Sequence, residues 1–263
     1  MKYWYETLAV AGRILTELGR RQRSLIFWAI FPLSVLILNG LILAERSKTF
    51  LPTPLTLGEA LEWAAPATLV GAALFFSCLG GSVATVVTER EQHTLKRLFL
   101  SPLSGVSYFL GIGLAHSAIA LGQTLVVGVT AFFLGARCQG SAGLALLVIG
   151  LSIIAYVGVG FILGTQLARR TEDVNTLVAA FGVPLLILGG AFMPTSTFPK
   201  VLLDLAKYNP IYHMNEALTN IVAKGDTFAE IRGHFIFLAS FAAVMIGVGW
   251  LSYRRMLQVE RRL

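Results

Sequence analysis

The sequence predicts an all-α integral membrane protein. It has six transmembrane helices, an amphipathic interfacial helix before them, a short cytoplasmic helix between spans 2 and 3, and short outer-face helices between spans 5 and 6. Three observations carry this. Only 13% of the 263 residues are charged and 56% are hydrophobic, whereas soluble domains carry about 25% charged residues. Six runs of membrane-crossing length hold no Asp, Glu, Lys or Arg: Leu25–Ala44, Pro66–Thr88, Tyr108–Leu134, Ala142–Ala168, Val174–Met193 and His234–Tyr253. A charge at a helix centre costs about 2.5–3.5 kcal/mol on insertion, several times what one Leu returns. Third, the basic residues are asymmetric between the ends of these runs. With the N-terminus inside, Lys2, Arg13, Arg20, Arg21, Arg23, Arg90, Lys96, Arg97, Arg169, Arg170, Arg254, Arg255, Arg261 and Arg262 fall inside. Arg46, Lys48, Arg137, Lys200, Lys207, Lys224 and Arg232 fall outside. That bias places both termini in the cytoplasm. It also accounts for the net charge of +7 without nucleic acid as a partner.

The chain reads as one membrane domain over 1–263: an interfacial helix in 1–24, a six-span bundle in 25–253 and a cytoplasmic tail in 254–263. In the first part Trp4, Leu8, Ala11, Leu15 and Leu18 form one helical stripe, with Arg13, Glu17, Arg20 and Arg21 mostly off it. This pattern suits a helix lying along the inner leaflet; the alternative is a basic cluster that only orients the first span. The first span lacks the cleavage pattern of a signal peptide. Residues 45–65 read as an outer loop with Pro52 and Pro54, followed by a short helical "LGEALEWAA".

The second span carries Cys78, and Cys138 lies in the "GARCQGS" turn between the third and fourth spans. Their different depths argue against a structural disulfide, and no Cys/His spacing suits a metal. His116 and Gln123, in the third span, must face protein or water. An interhelical hydrogen bond and a substrate contact are both open for His116. Gly160 with Gly164, Gly111 with Ala115 and Gly80 with Ala84 have the spacing that lets helices approach closely.

The fifth span is interrupted at Pro184 and ends in "GGAFMPTSTFP". Pro199 suits the first turn of a following helix, Asn209-Pro210 ends that helix, and Gly225 ends the next. Both helices are too short to cross and are expected at the outer face or re-entrant.

No phosphate-binding G-x-x-x-x-G-K-[ST] sequence occurs, nor H-E-x-x-H, nor G-x-S-x-G. No carboxylate lies within a charge-free run, which counts against ion-driven transport. The chain therefore shows no energy source or catalytic residues of its own.

Between spans 2 and 3 stands "TEREQHTLKRLFLSPLS", Thr88–Ser104. Thr94 can cap a short helix that Pro102 stops, with Leu95, Leu98 and Phe99 on one face. Such a knob can dock into a partner's groove; it can equally be a charged loop that only sets topology. The segment resembles the loop after the second span in the permeases of type-2 ABC transporters, where the pattern is roughly E-R-E-x-G-T-L-x-x-L-x-x-S-P. Glu89, Arg90, Glu91, Thr94, Leu95, Leu98, Ser101 and Pro102 match, and His93 replaces the usual Gly. A second segment is similar to the family's region after the fifth span at Gly190, Pro194, Pro199, Asn209, Pro210, Glu216 and Leu218, with Thr219 where Arg is common. The similarity is nearer to the drug- and lipid-exporting branch than to the polysaccharide branch.

The resemblance implies an export permease of a bacterial-type inner or plasma membrane. Two such subunits, identical or related, form the pathway for a lipid-like or drug-like amphiphile. Each docks a separate ABC ATPase subunit, which holds the ATP and magnesium. The coupling helix would contact it through Glu89, Arg90, Glu91, Thr94, Leu95, Lys96, Leu98, Phe99, Ser101 and Pro102. Gly190, Pro194, Pro199, Asn209, Pro210 and Glu216 would shape an outer gate. Phe75, Phe76, Phe181 and Phe192 either line an apolar route or face lipid and packing partners. A polysaccharide or glycolipid exporter, an ion-coupled transporter and a non-transporting membrane scaffold or enzyme are the competing classes.

Overall fold

The computed structural model describes residues 2–20, 22–92, 94 and 103–260. Among the described residues there is no strand, and six helices are long and apolar enough to cross a membrane. The protein is a multi-pass integral membrane protein. Helix α1 (Lys2–Arg20) precedes α2 (Gln22–Phe50), α3 (Leu57–Glu91), α4 (Gly105–Phe133) and α5 (Ala142–Leu167). Then come α6 (Thr171–Leu188), the short α7 (Lys200–Ala206), α8 (Pro210–Thr219, continuing in wider turns over Asn220–Lys224) and α9 (Phe228–Glu260).

The centre of the bundle is α3, whose most apolar stretch is 78% buried, against 17% for α2, α6 and α9. The expected outer loop of 45–65 is much shorter than predicted. α2 runs to Phe50, and Thr56 caps α3 through a reciprocal pair with Glu59. The "LGEALEWAA" turn is thus the start of the second span. Pro66 lies inside this helix and wider, π-type turns begin at Thr68; the missing proline amide shifts the hydrogen-bond ladder. In α6 the chain likewise passes Pro184 through wider turns at Val178–Gly182. The predicted fifth span begins three residues earlier, at Thr171, and ends at Leu188 rather than Met193. The tail expected from 254 is helical as far as Glu260.

Small residues fix the central contacts. α5 packs on α3 and α9. A Cβ added at Gly160 would lie 1.9 Å from Ser82 Oγ of α3, so only glycine permits this approach. On α1, Thr7, Val10 and Ala11 are buried against α4, where Gly111 leaves room for Val10. Of the predicted stripe, Ala11 lies on that buried side, whereas Trp4, Leu8 and Leu15 are exposed. Their apolar edge faces away from the bundle.

At one end of the bundle α1 meets the end of α3 and the start of α4. At the other, the loop 135–141 is tied to α3 and α8. Buried Glu62 accepts from the Arg137 amide at 2.8 Å and from Gln139 Nε2 at 3.0 Å, and the Gln139 amide donates to the Val222 carbonyl. His116 Nε2 lies 3.1 Å from Thr85 Oγ1 of α3, and Gln123 Nε2 donates to the Trp28 carbonyl of α2. Both polar groups bond between helices. Cys78 is buried, Cys138 is exposed, and both are free.

Candidate functional site

The first candidate is the end of the bundle that carries the charged segment. Glu89, Arg90 and Glu91 were expected ahead of the Thr94 cap, among the residues that contact the ATPase. They form instead the last turn of α3. Glu89 is buried and accepts hydrogen bonds from Arg13 of α1 and the Tyr108 hydroxyl of α4. Arg90 donates to the Ala168 carbonyl at 3.1 Å and the Thr165 carbonyl at 3.3 Å, capping the end of α5. These are orphan acceptors of a helix C-terminus, where a cation is favoured. Glu91 accepts from Thr171 Oγ1 at the start of α6. The physical reason for the inward placement is compensation: a carboxylate at this depth needs a cation and donors, and α1 and α4 provide them.

The other side of the segment is held in the same way. Glu6 of α1 accepts from the Ser104 amide at 3.1 Å and Ser107 Oγ at 2.8 Å. Ser104 also caps α4. The bonds from Ser107 and Ser104 hold the Glu6 carboxyl below the usual carboxylate range. One amphipathic helix therefore binds both feet of the segment between spans 2 and 3. Thr94 is half-buried; Leu95, Lys96, Leu98, Phe99, Ser101 and Pro102 lie outside the described residues. Sequence reading missed Glu6, Arg13 and Tyr108, because nothing local links them to Glu89.

The second candidate is a cavity of about 510 Å³ at the opposite end. It lies between the end of α2, the start of α3, the segment after α6, and α8. The predicted gate residues divide here. Gly190, Pro194 and Glu216 line the cavity, together with Phe192. Glu216 Oε1 accepts from Thr195 Oγ1 at 2.6 Å. Gly190 has φ +80°, and a Cβ there would crowd Thr195 and Asn215, so the turn demands glycine. Asn215 fixes that turn by donating to the Gly190 carbonyl at 3.1 Å.

Pro199, Asn209 and Pro210 form the scaffold instead. Pro199 precedes α7 and Pro210 opens α8. Asn209 donates to the Leu185 carbonyl at 2.7 Å and accepts from the Ile211 amide at 3.0 Å. Cavity residues that sequence reading missed are Asn39, Arg46, Trp63, Asn215 and Lys224. Asn39 had a signal, a carboxamide inside an apolar run.

The four aromatic residues do not form a common route. Phe75 is 1% exposed and packs edge-on against Phe76 and Tyr156. Phe181 is 68% exposed. Gly182 sits over the Phe75 ring. Phe75 is therefore core, and among the four only Phe192 lines the cavity. Nearby, His213 of α8 and His234 of α9 are joined Nδ1 to Nδ1 at 2.9 Å. His213 Nε2 donates to the Lys207 carbonyl at 2.8 Å, so in the neutral pair His234 donates to His213.

A family model described as "ABC-2 type transporter" matches residues 5–222. The chain is similar to the inner membrane transport permease YhhJ of Escherichia coli (strain K12), with 25% identity over 174 residues, 65% of this chain and 46% of that protein. It is 22% identical over 221 residues to the linearmycin resistance permease protein LnrN of Bacillus subtilis (strain 168), covering 81% of this chain and 57% of the relative. The probable multidrug ABC transporter permease YbhS of Escherichia coli (strain K12) is 22% identical over 231 residues, 81% of this chain and 59% of its own length. The chain thus spans about half the length of the curated relatives it matches.

Proposed function

The chain belongs to the ABC-2 type transporter family, and on that premise we propose that it is the membrane-spanning permease subunit of an ATP-driven exporter. It works paired with a second permease, identical or related, and each permease docks a separate ATPase subunit. Both termini and the segment between α3 and α4 are cytoplasmic, as the basic residues suggest. The cargo is a lipid-like or drug-like amphiphile, a reading favoured by relatives named for multidrug transport and linearmycin resistance.

The observation that carries this proposal is the double attachment of the charged segment to α1. Glu89 ties its first foot to Arg13, and Ser104 ties its second to Glu6. A push on a knob between these feet reaches α3, α4 and α1 together. Leu95, Leu98 and Phe99 act as the buried anchors of the ATPase contact. Lys96, Glu91 and Thr94 contribute polar contacts to the ATPase, and Ser101 and Pro102 belong to the same contact segment. Glu89 and Arg90 brace it from within. Nucleotide and magnesium stay in the ATPase.

The test is co-purification with an ATPase-only ABC subunit, together with ATP-driven efflux of a fluorescent amphiphile from vesicles. Stable capture of the ATPase and ATP-dependent efflux are expected. A chain that moves the amphiphile on an ion gradient without any ATPase overturns the proposal.

A further inference from the structure

The outer cavity holds charges of both signs that do not pair with one another. Arg46 makes no ion pair among the described residues, and neither does Glu216. Glu216 Oε1 is taken by Thr195, whereas Oε2 accepts nothing among the described residues. Lys224 Nζ is held 2.9 Å from Asn220 Oδ1 and lies 5.9 Å from the centre of the Trp63 ring. Asn215 in the wall is 7% exposed, and its Oδ1 is buried with no hydrogen-bond partner. On the remaining side Ile42, Phe192 and Met193 line the cavity and are also exposed on the protein surface. A half-buried carboxylate and a buried amide oxygen gain from a donor, and two nearby cations gain from an anion. The depth suits a head group, because the cavity sits where spans end and the polar interface begins.

We propose that this cavity binds the head group of a zwitterionic amphiphile carrying a primary amine. The anionic group is taken by Arg46 and Lys224. The amine donates to Glu216 and toward Asn215 Oδ1, and the tail leaves across Ile42, Phe192 and Met193. A quaternary ammonium has no hydrogen to donate and fits less well, and an anion with a neutral polyol lacks the cation altogether. The volume is within the range of small-ligand sites, about 300–1,000 Å³. The inference rests on the exporter reading in one respect only, that this end of the bundle is the outer face; binding itself needs neither an ATPase nor transport.

The experiment uses the purified full chain without an ATPase and monomeric dihexanoyl lipids with ethanolamine, choline or glycerol head groups. Binding is followed by thermophoresis. The ethanolamine lipid is expected to bind about 10-fold more tightly than the glycerol lipid, as one charge-assisted hydrogen bond requires, with the choline lipid between. Glu216→Gln keeps an acceptor for Thr195 and should erase the ethanolamine preference. Arg46→Gln, on an exposed side chain, should weaken all three together. Equal binding of the ethanolamine and glycerol lipids to the wild-type chain overturns the proposal. So does an ethanolamine preference that survives Glu216→Gln. Repeating the titration in nanodiscs with and without long-chain phosphatidylethanolamine identifies the source. Competition marks a bilayer lipid as the occupant, and undiminished binding marks a soluble amphiphile. Because capture of an ATPase is measured separately, loss of coupling and loss of binding are told apart.

Discussion

Arg13 and Glu89 form an ion pair across 76 residues of sequence, joining the amphipathic helix α1 to the end of the central span. Tyr108 completes the arrangement from α4 on the other carboxylate oxygen. Three helices thus meet at one carboxylate, directly before the segment proposed to dock the ATPase.

Arg13→Ala leaves Glu89 buried without its cation and should destabilise the α1 docking by about 1–3 kcal/mol, the cost of an unpaired buried group. The partial exposure of Arg13, 38% of its side chain, keeps the effect toward the lower end. Tyr108→Phe removes the second partner. A double-mutant cycle between the two substitutions should show a coupling of about 0.5 kcal/mol or more. Thermal unfolding in detergent measures both, and strict additivity would show that the two contacts act separately.

Leu98→Ala should weaken ATPase capture about 5- to 150-fold, since an apolar anchor contributes roughly 1–3 kcal/mol. Lys96→Ala should cost less, and salt should blunt its effect. Leu98→Asp should abolish capture and efflux while membrane insertion persists, because a charge would be seated without a partner. Capture and efflux at wild-type level in Leu98→Asp would assign the segment a topological role only.

Labelling tests the orientation. The native Cys138 is exposed and Cys78 is buried, so a membrane-impermeant maleimide added outside should modify Cys138 alone. A cysteine at Gln92 in a Cys138→Ser background should be labelled only after the membrane is opened. Reaction of that cysteine from outside inverts the whole arrangement.

The histidine pair gives a pH dependence. Burial pushes His213 below its ordinary value of 6.5, against the opposing influence of the Lys207 carbonyl and Glu216. The free imidazole therefore binds a proton more readily than the docked one. The contribution of docking is complete above about pH 6.5 and declines as pH falls below it. Protection factors of the α8 amides, taken relative to the intrinsic exchange rate at each pH, should fall at pH 5.5 relative to pH 7.5. His213→Gln should flatten that dependence; an unchanged slope would place the titrating group elsewhere.

The six spans were legible because each contains a long run free of charge, a signal that needs no tertiary information. The short helices between the fifth and sixth spans were legible from Pro199, Asn209-Pro210 and Gly225, whose backbone preferences act locally. Gly225 does end its helix, with φ +78°. The start of α3 was read as a short helix of its own, because Pro52 and Pro54 suggested a longer interruption than the capping pair at Thr56 allows. The inward placement of Glu89 was invisible for a different reason. Its partners lie on two other helices, and an E-R-E sequence reads as solvent-facing until α1 and α4 are packed around it. The cavity was half visible: Gly190, Pro194 and Glu216 stood in a recognisable segment, whereas Arg46 and Trp63 reach it only through the packing of α2 and α3.

The unequal lengths of the crossing helices have a consequence for the surrounding lipid. α6 spans 18 residues and α3 spans 35, so their lengths are about 27 and 52 Å at 1.5 Å per residue. A bilayer core of roughly 30 Å is slightly too thick for the first and far too thin for the second. The long helix can project at both ends, but the peripheral short one meets the acyl chains directly, so the bilayer must thin beside it. Each ångström of hydrophobic mismatch costs a fraction of a kcal/mol. Acyl-chain length is therefore a control on this protein: membranes of shorter chains should favour it, and thicker, sterol-like bilayers should hold α6 upright, pull on its ends and strain the Gly189–Gly190 turn that closes the cavity.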